Sequence, residues 1–134
     1  MSESLILRSS ADSTQLSLSR IDQHTVLAQL RSTELQASAQ LDGLAVIPFS
    51  EFFADLAENW RGWPGTKEWK NVEETLVLVA SNDCHGHISL VVDLRSRLGE
   101  RGWFVRSRIV LDAGQLDHVP AHGRGLFDAP WDAT

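Results

Sequence analysis

The chain has no tyrosine, and only one cysteine, one methionine and four prolines among its 134 residues. A single cysteine, Cys84, cannot close a disulfide within the chain. The fold must therefore stand on its core, and a reducing compartment, the cytoplasm, is expected. No apolar run approaches the ~20 residues that a membrane-spanning helix needs, so no membrane partner is expected. The opening MSESLILRSS carries neither a basic segment nor a long apolar one, and no signal peptide is read there. Lysine is scarce as well, with ten arginines against two lysines, which reads as a coding bias. A net charge of −6 leaves no general cationic surface for a phosphate backbone, so nucleic acid is not an expected partner. There is no P-loop and no dinucleotide fingerprint. Serines and histidines are scattered without a catalytic pattern. Glu73 and Glu74 are adjacent and would face opposite sides of a strand. These gaps remove the common enzyme classes, and no cofactor and no catalytic residue is assigned.

What is present is ordinary globular material, 43% hydrophobic and 22% charged. A chain of this length buries roughly two thirds of its unfolded surface, enough for a core without a staple. Three of the five tryptophans and three of the five phenylalanines fall between Val46 and Trp69. There Phe49, Phe52, Phe53, Leu56, Ala57 and Trp60 repeat at the spacing of one helical face. Pro48 suits the first helical position and Glu51 the first turn. Gly62, Pro64 and Gly65 stop the helix. The spacing predicts one main helix over 48–60, acting as a plug for the core.

The rest alternates with a period of two. Residues 1–42 read as four strands: Leu5 and Leu7; Leu16 and Leu18; Val26, Ala28 and Leu30; then Leu35, Ala37, Ala39 and Leu41. Helix formers are frequent in 34–42, but strict alternation favours a strand. Three more strands are read between 74 and 111. The segment ETLVLVAS is apolar on both faces and so central. HISLVVDLR turns Ile88, Leu90, Val92 and Leu94 one way. WFVRSRIVL turns Trp103, Val105, Ile109 and Leu111 one way and Arg106 and Arg108 the other. Asp112 caps a short helix toward His118, with Leu116 inward, and 119–134 is an irregular tail anchored by Phe127 or Trp131. The expected fold is a single α+β domain in the order ββββαβββα. An antiparallel sheet of about seven strands, curled or in two layers, packs around the main helix, because one helix cannot cover seven flat strands.

The run FFADLAENWRGWPGTKEW, followed by D-x-H-G-H and G-W-x-V-x-x-x-I-V-L-D-A-G-Q-L, resembles a family of small actinomycete proteins known only as a domain of unknown function. The resemblance covers about residues 45–118. In plan the chain is also similar to WapI-like immunity proteins, with Asp112, Gln115 and Leu116 loosely in the place of their acidic, then Gln-Leu, ending. That resemblance implies a cytoplasmic protein that binds a partner, such as a toxin, and it carries no catalytic residue over.

Three clusters are candidate sites. In D-C-H-G-H, Asp83, Cys84, His85 and His87 are metal-ligand types, and on an extended strand His85 and His87 project to one side. A His-x-His metal motif also needs a glutamate a few residues on, where this chain has Val91 and Val92. The simpler reading is a hairpin loop with Gly86 at positive φ. In the aromatic–basic turn, Trp60 and Trp69 are read as core. Trp63, pinned by Pro64 and Gly65, is either a lid or a partner anchor rimmed by Arg61 and Lys67. In the arginine cluster, Arg106 and Arg108 either meet an acidic partner or pair with Asp93 and Glu100 across strands. Two functions follow. The first is a non-enzymatic protein-binding domain, immunity-like in kind, using Trp63, Arg61, Lys67, Arg106 and Arg108. The second is a small metal-dependent ligand binder or enzyme using Asp83, His85 and His87.

Overall fold

The computed structural model describes residues 4–96 and 101–127. Four strands open the chain: β1 (Ser4–Arg8), β2 (Gln15–Arg20), β3 (Thr25–Arg31) and β4 (Gln36–Asp42). Helix α1 (Phe49–Glu58) follows. Four more strands come next: β5 (Lys67–Lys70), β6 (Leu76–Asn82), β7 (His87–Arg95) and β8 (Phe104–Asp112). Two single-turn helices, α2 (Ala113–Leu116) and α3 (Val119–His122), end the described chain. The fold is α+β, with two antiparallel four-stranded sheets, ordered β1-β2-β3-β4 and β5-β6-β7-β8. Of the curled and two-layer alternatives, the strands divide into two sheets, and the expected count of about seven is eight. The extra strand is β5, KEWK, whose one inward residue, Trp69, gives too short a pattern for a period of two to register.

Alternation decides which face is dry. In the first sheet Leu5, Leu18, Ala28 and Ala39 are neighbours across the strands, as are Leu7, Leu16, Leu30 and Ala37. In the second, Trp69, Leu78 and Val92 form one inward row, and Ala80, Leu90 and Ile109 another. The inward rows of both sheets feed one shared core cluster, which also holds Phe49, Phe52, Phe53 and Leu56 of α1, with Ala37 and Ala39 packed against it. The two sheets are also joined by backbone bonds from the loops beside their edges. On one side the Ser10 N–H donates to the Val110 carbonyl at 2.8 Å. On the other the Val72 N–H donates to the Leu44 carbonyl at 2.8 Å. Beside it Asn71, itself buried, donates to the Asp42 carboxylate at 2.8 Å and accepts from the Thr75 and Leu76 N–H groups.

Helix α1 is shorter than predicted. Pro48 is its N-cap and Asn59 its C-cap, where the Asn59 side chain donates to the Asp55 carbonyl at 2.9 Å. Phe49, Phe52, Phe53 and Leu56 are buried, as the helical spacing requires. Trp60 falls beyond the cap and is 42% exposed, so its reading as core is corrected; Trp69, at 1%, is core. Phe49 is the meeting point of the aromatic cluster. Its ring centroid lies 4.8 Å from Phe53, 5.1 Å from Trp69 and 5.8 Å from Phe127. Trp69 Nε1 donates to the Ile47 carbonyl at 2.7 Å, which satisfies its only polar atom.

The segment read as an irregular tail is partly ordered by packing. Val119, Leu126 and Phe127 are buried, and α3 lies against α1. Gly123 allows that approach, since a Cβ there would sit 3.0 Å from the Phe49 ring. Arg20 pins the segment from the other side. Its guanidinium donates to the carbonyls of Gly125 and Leu126, and also to those of Asp22, Gln23 and Gly43. Trp131 lies outside the described residues. No helix among the described residues is long and apolar enough to cross a membrane.

Candidate functional site

The outer face of the second sheet carries most of the candidate residues, and the register sets them out in rows. His87 stands opposite Asp112, Ser89 opposite Val110, Val91 opposite Arg108, Asp93 opposite Arg106, and Arg95 opposite Phe104. On the other side of β7, Ser81 pairs with Ser89 and Val79 with Val91.

At one end of this face Arg106 grips Asp93 with two parallel bonds, Nε to Oδ1 at 2.6 Å and Nη2 to Oδ2 at 2.9 Å. The bond to the Asp93 carboxylate, and then its charge, raise the Arg106 pKa. Next to it the Phe104 ring is 51% exposed. The Arg95 and Arg106 guanidinium carbons lie 5.3 and 5.6 Å from its centroid. Trp103, expected on the inward face, precedes the strand and is 39% exposed, because β8 begins only at Phe104. Arg106 is thus both paired, as the cross-strand reading held, and on display. Glu100, its other suggested partner, lies outside the described residues.

At the other end Asp83 organises the β6–β7 loop. Its Oδ1 accepts from the His85 N–H at 2.7 Å and the His87 N–H at 3.1 Å, and its Oδ2 faces His87 Nδ1 at 2.9 Å. The backbone N–H of His85 first, then the His87 side chain and N–H, hold the Asp83 carboxyl down to about 2. Asp83 is therefore ionised at neutral pH, and His87 Nδ1 must be the donor between them. The far nitrogen, Nε2, is 3.7 Å from Asp112 Oδ1, which also accepts from Ser10 Oγ at 3.3 Å. Gly86 has φ +90°, and Cys84 also takes a positive φ, of 62°. The hairpin-loop reading of this motif describes that backbone. The structure brings Asp83 and His87 together but not His85. Among the described residues no three His, Cys, Asp or Glu side chains converge as a metal set would. Asp83 and His87 do share an open cleft with Ser10, Ala11, Ser81, Asn82, Ser89, Arg108 and Val110, with a volume of about 570 Å³.

The aromatic–basic turn is largely engaged with its own chain. Lys67 Nζ bonds Asp55 Oδ2 at 2.8 Å and lies 5.6 Å from the Trp63 ring centroid. Arg61 stacks over Trp60 at 5.2 Å. Trp63 is half-buried against the core, its carbonyl accepts from Asn82 Nδ2 at 3.1 Å, and its Nε1 is buried with no acceptor among the described residues. It packs as a lid more than it projects as an anchor, and it stands with Arg61 and Lys67 apart from Arg106 and Arg108.

Phe104, Asp112, Ser10, Ser81 and Ser89 were not singled out from the sequence as site residues. Two of them were within reach, since Phe104 and Asp112 share the parity of Arg106 and Arg108 along β8. The serines were not, because only the register and the β1–β2 turn bring them together.

Comparison with curated proteins found no match, and comparison with solved structures found none either. A family model described as a family of unknown function, DUF6228, matches residues 6–130. That span takes in both sheets and α1, α2 and α3, and the chain belongs to this family of unknown function.

Proposed function

We propose that the chain is a non-catalytic protein-binding domain whose docking surface is the outer face of β7 and β8. One observation carries this reading: Phe104 stands half exposed between two guanidiniums, beside an exposed Trp103, at the end of the face where Arg95, Arg106 and Arg108 lie and where Asp93 pairs with Arg106. Aromatic and arginine side chains dominate the energetic centres of interfaces. Here they are held in place beforehand, Arg106 by Asp93 and Phe104 by its flanking cations, so less side-chain entropy remains to be lost on docking. The partner that fits is a protein surface rich in carboxylates with a recess for the Phe104 ring. Trp63, Arg61 and Lys67 belong to this reading as a second, weaker contact region. Its immunity-like form, with a toxin as partner, rests on the resemblance in plan alone.

The test is capture of partners from the native host by wild type, Phe104→Ala, Arg108→Glu and, as control, Gln29→Glu on the outer face of the first sheet. The reading expects a protein retained by wild type and by the Gln29 variant but lost from the other two. Equal retention by all four would refute it. A second reading, a small-ligand binder, is favoured by the cleft that Asp83, His87 and Arg108 line together.

A further inference from the structure

We infer that the cleft beside Arg108 binds a small hydroxylated oxyanion, a sugar acid or a polyol phosphate. The inference rests on the small-ligand reading; Arg108 belongs to the docking face as well, whereas Phe104 belongs to that face alone. The floor of the cleft is a row of short side chains, Ser81, Ser89 and Val110, set between the Val79–Val91–Arg108 row and the His87–Asp112 row. Short residues between longer ones leave a depression. The β1–β2 turn walls it at the sheet edge through Ser10 and Ala11, held by the Ser10 N–H bond to Val110 and by the Ser9 Oγ bond from the Val110 N–H at 3.1 Å.

The polar groups around this depression are not interchangeable. Arg108 is exposed and meets no carboxylate among the described residues. Its planar fork offers paired donors that match a carboxylate or a phosphate. The opposite end carries Asp83, an acceptor when ionised, beside His87. Between them Ser10, Ser81 and Ser89 can donate or accept. A bare anion would satisfy Arg108 but face the Asp83 carboxylate. A neutral polyol would bond Asp83 and the serines but leave the guanidinium unused. A molecule with an oxyanion at one end and hydroxyl donors along its length satisfies both ends. The lining is open and polar, which sets modest affinity and a ligand that keeps part of its hydration.

The experiment is a two-dimensional amide NMR titration of the full chain with gluconate and with glycerol 3-phosphate. Glucose and inorganic phosphate serve as the two half-ligands. The expected result is saturable shifts confined to Ser10, Ser81, Asp83, His87, Ser89 and Arg108, with one of the hydroxylated oxyanions binding about tenfold tighter than either half-ligand. Arg108→Gln should weaken that binding by about tenfold with the remaining spectrum unchanged, whereas Phe104→Ala should leave it intact. No localised shift with any of the probes would overturn the inference. So would a half-ligand binding as tightly as both hydroxylated oxyanions, or Arg108→Gln binding like wild type. Loss of partner capture by the Phe104 variant bears only on the docking face, so the two proposals fail separately.

Discussion

Replacing Phe49 tests how α1 is held. The side chain is fully buried and touches the rings of Phe53, Trp69 and Phe127, while Gly123 fits against its edge. Phe49→Ala removes the ring and leaves a cavity bounded by two sheet-independent elements, α1 and α3, that cannot collapse without moving the Phe127 segment. Large-to-small changes of this kind cost ~3–5 kcal/mol, and the ring contacts, at ~0.5–1.5 kcal/mol per pair, put this site toward the upper end. Against a total of ~5–15 kcal/mol for a natural domain, that is a large fraction. Phe49→Leu keeps the apolar volume and loses the edge-to-face contacts, so it should cost under ~2 kcal/mol. Urea unfolding followed by tryptophan fluorescence reads both, because Trp69 lies in the same cluster. The midpoint should fall while the slope stays constant, and melting should drop by about 10–20 °C for the alanine variant at ~3–5 °C per kcal/mol. A loss under ~1 kcal/mol for Phe49→Ala would mean that α1 is not seated on the core as described.

Arg20→Ala should cost ~2–4 kcal/mol, because carbonyls of three separate segments lose a charged donor while water replaces part of it; Arg20→Lys should recover less than half, since an ammonium cannot span the fork. Retention of wild-type urea stability by either variant would show that the 123–127 segment does not depend on it. The two tryptophans near α1 should part company. Trp69→Phe strands the Ile47 carbonyl and should cost ~1–3 kcal/mol more than Trp63→Phe, which removes a buried N–H that has no acceptor among the described residues. Equal losses would put the Trp63 N–H in a hydrogen bond after all. Asp83 has its folded pKa held at about 2, below the ordinary carboxylate value of 3.8. Its contribution is therefore complete above about pH 4 and lost as pH falls toward 2. The stability gap between wild type and Asp83→Asn, followed by urea titration at several pH values, should be constant near neutrality and close over that acid window; a gap that persists below it would refute the assignment.

Most of the fold was legible because its signals are local and periodic. Leu16 and Leu18, or Ile88 through Leu94, announce their strand and its dry face within a few residues. The F-x-x-F-F-x-x-L spacing announces α1 in the same way. What escaped is non-local or too short. β5 has four residues and one inward side chain. Trp60 continues the helical spacing, but the Asn59 cap ends the helix before it, and spacing alone does not register a side chain folding back on its own turn. Arg20 reads as a strand-end charge, and its five carbonyl partners include two more than a hundred residues away. The candidate site divides along the same line. Parity places Arg106 and Arg108 on one face, and the Asp83 to His87 spacing suits a loop with the two side chains in reach. The serine floor between them depends on strand register, which no single segment encodes.

The central claim, that the outer face of β7 and β8 engages a protein partner, is tested most directly by site-specific photo-crosslinking in the native host. A photoreactive phenylalanine analogue at position 104 should give a discrete adduct with an acidic protein, and the same probe at position 29 should not. The position-104 adduct should weaken as salt rises, since guanidinium–carboxylate attraction across an exposed face is screened. It should vanish in the Arg108→Glu background. Adducts at position 29 with none at 104, or equal adducts at both that persist with Glu at 108, would contradict the account.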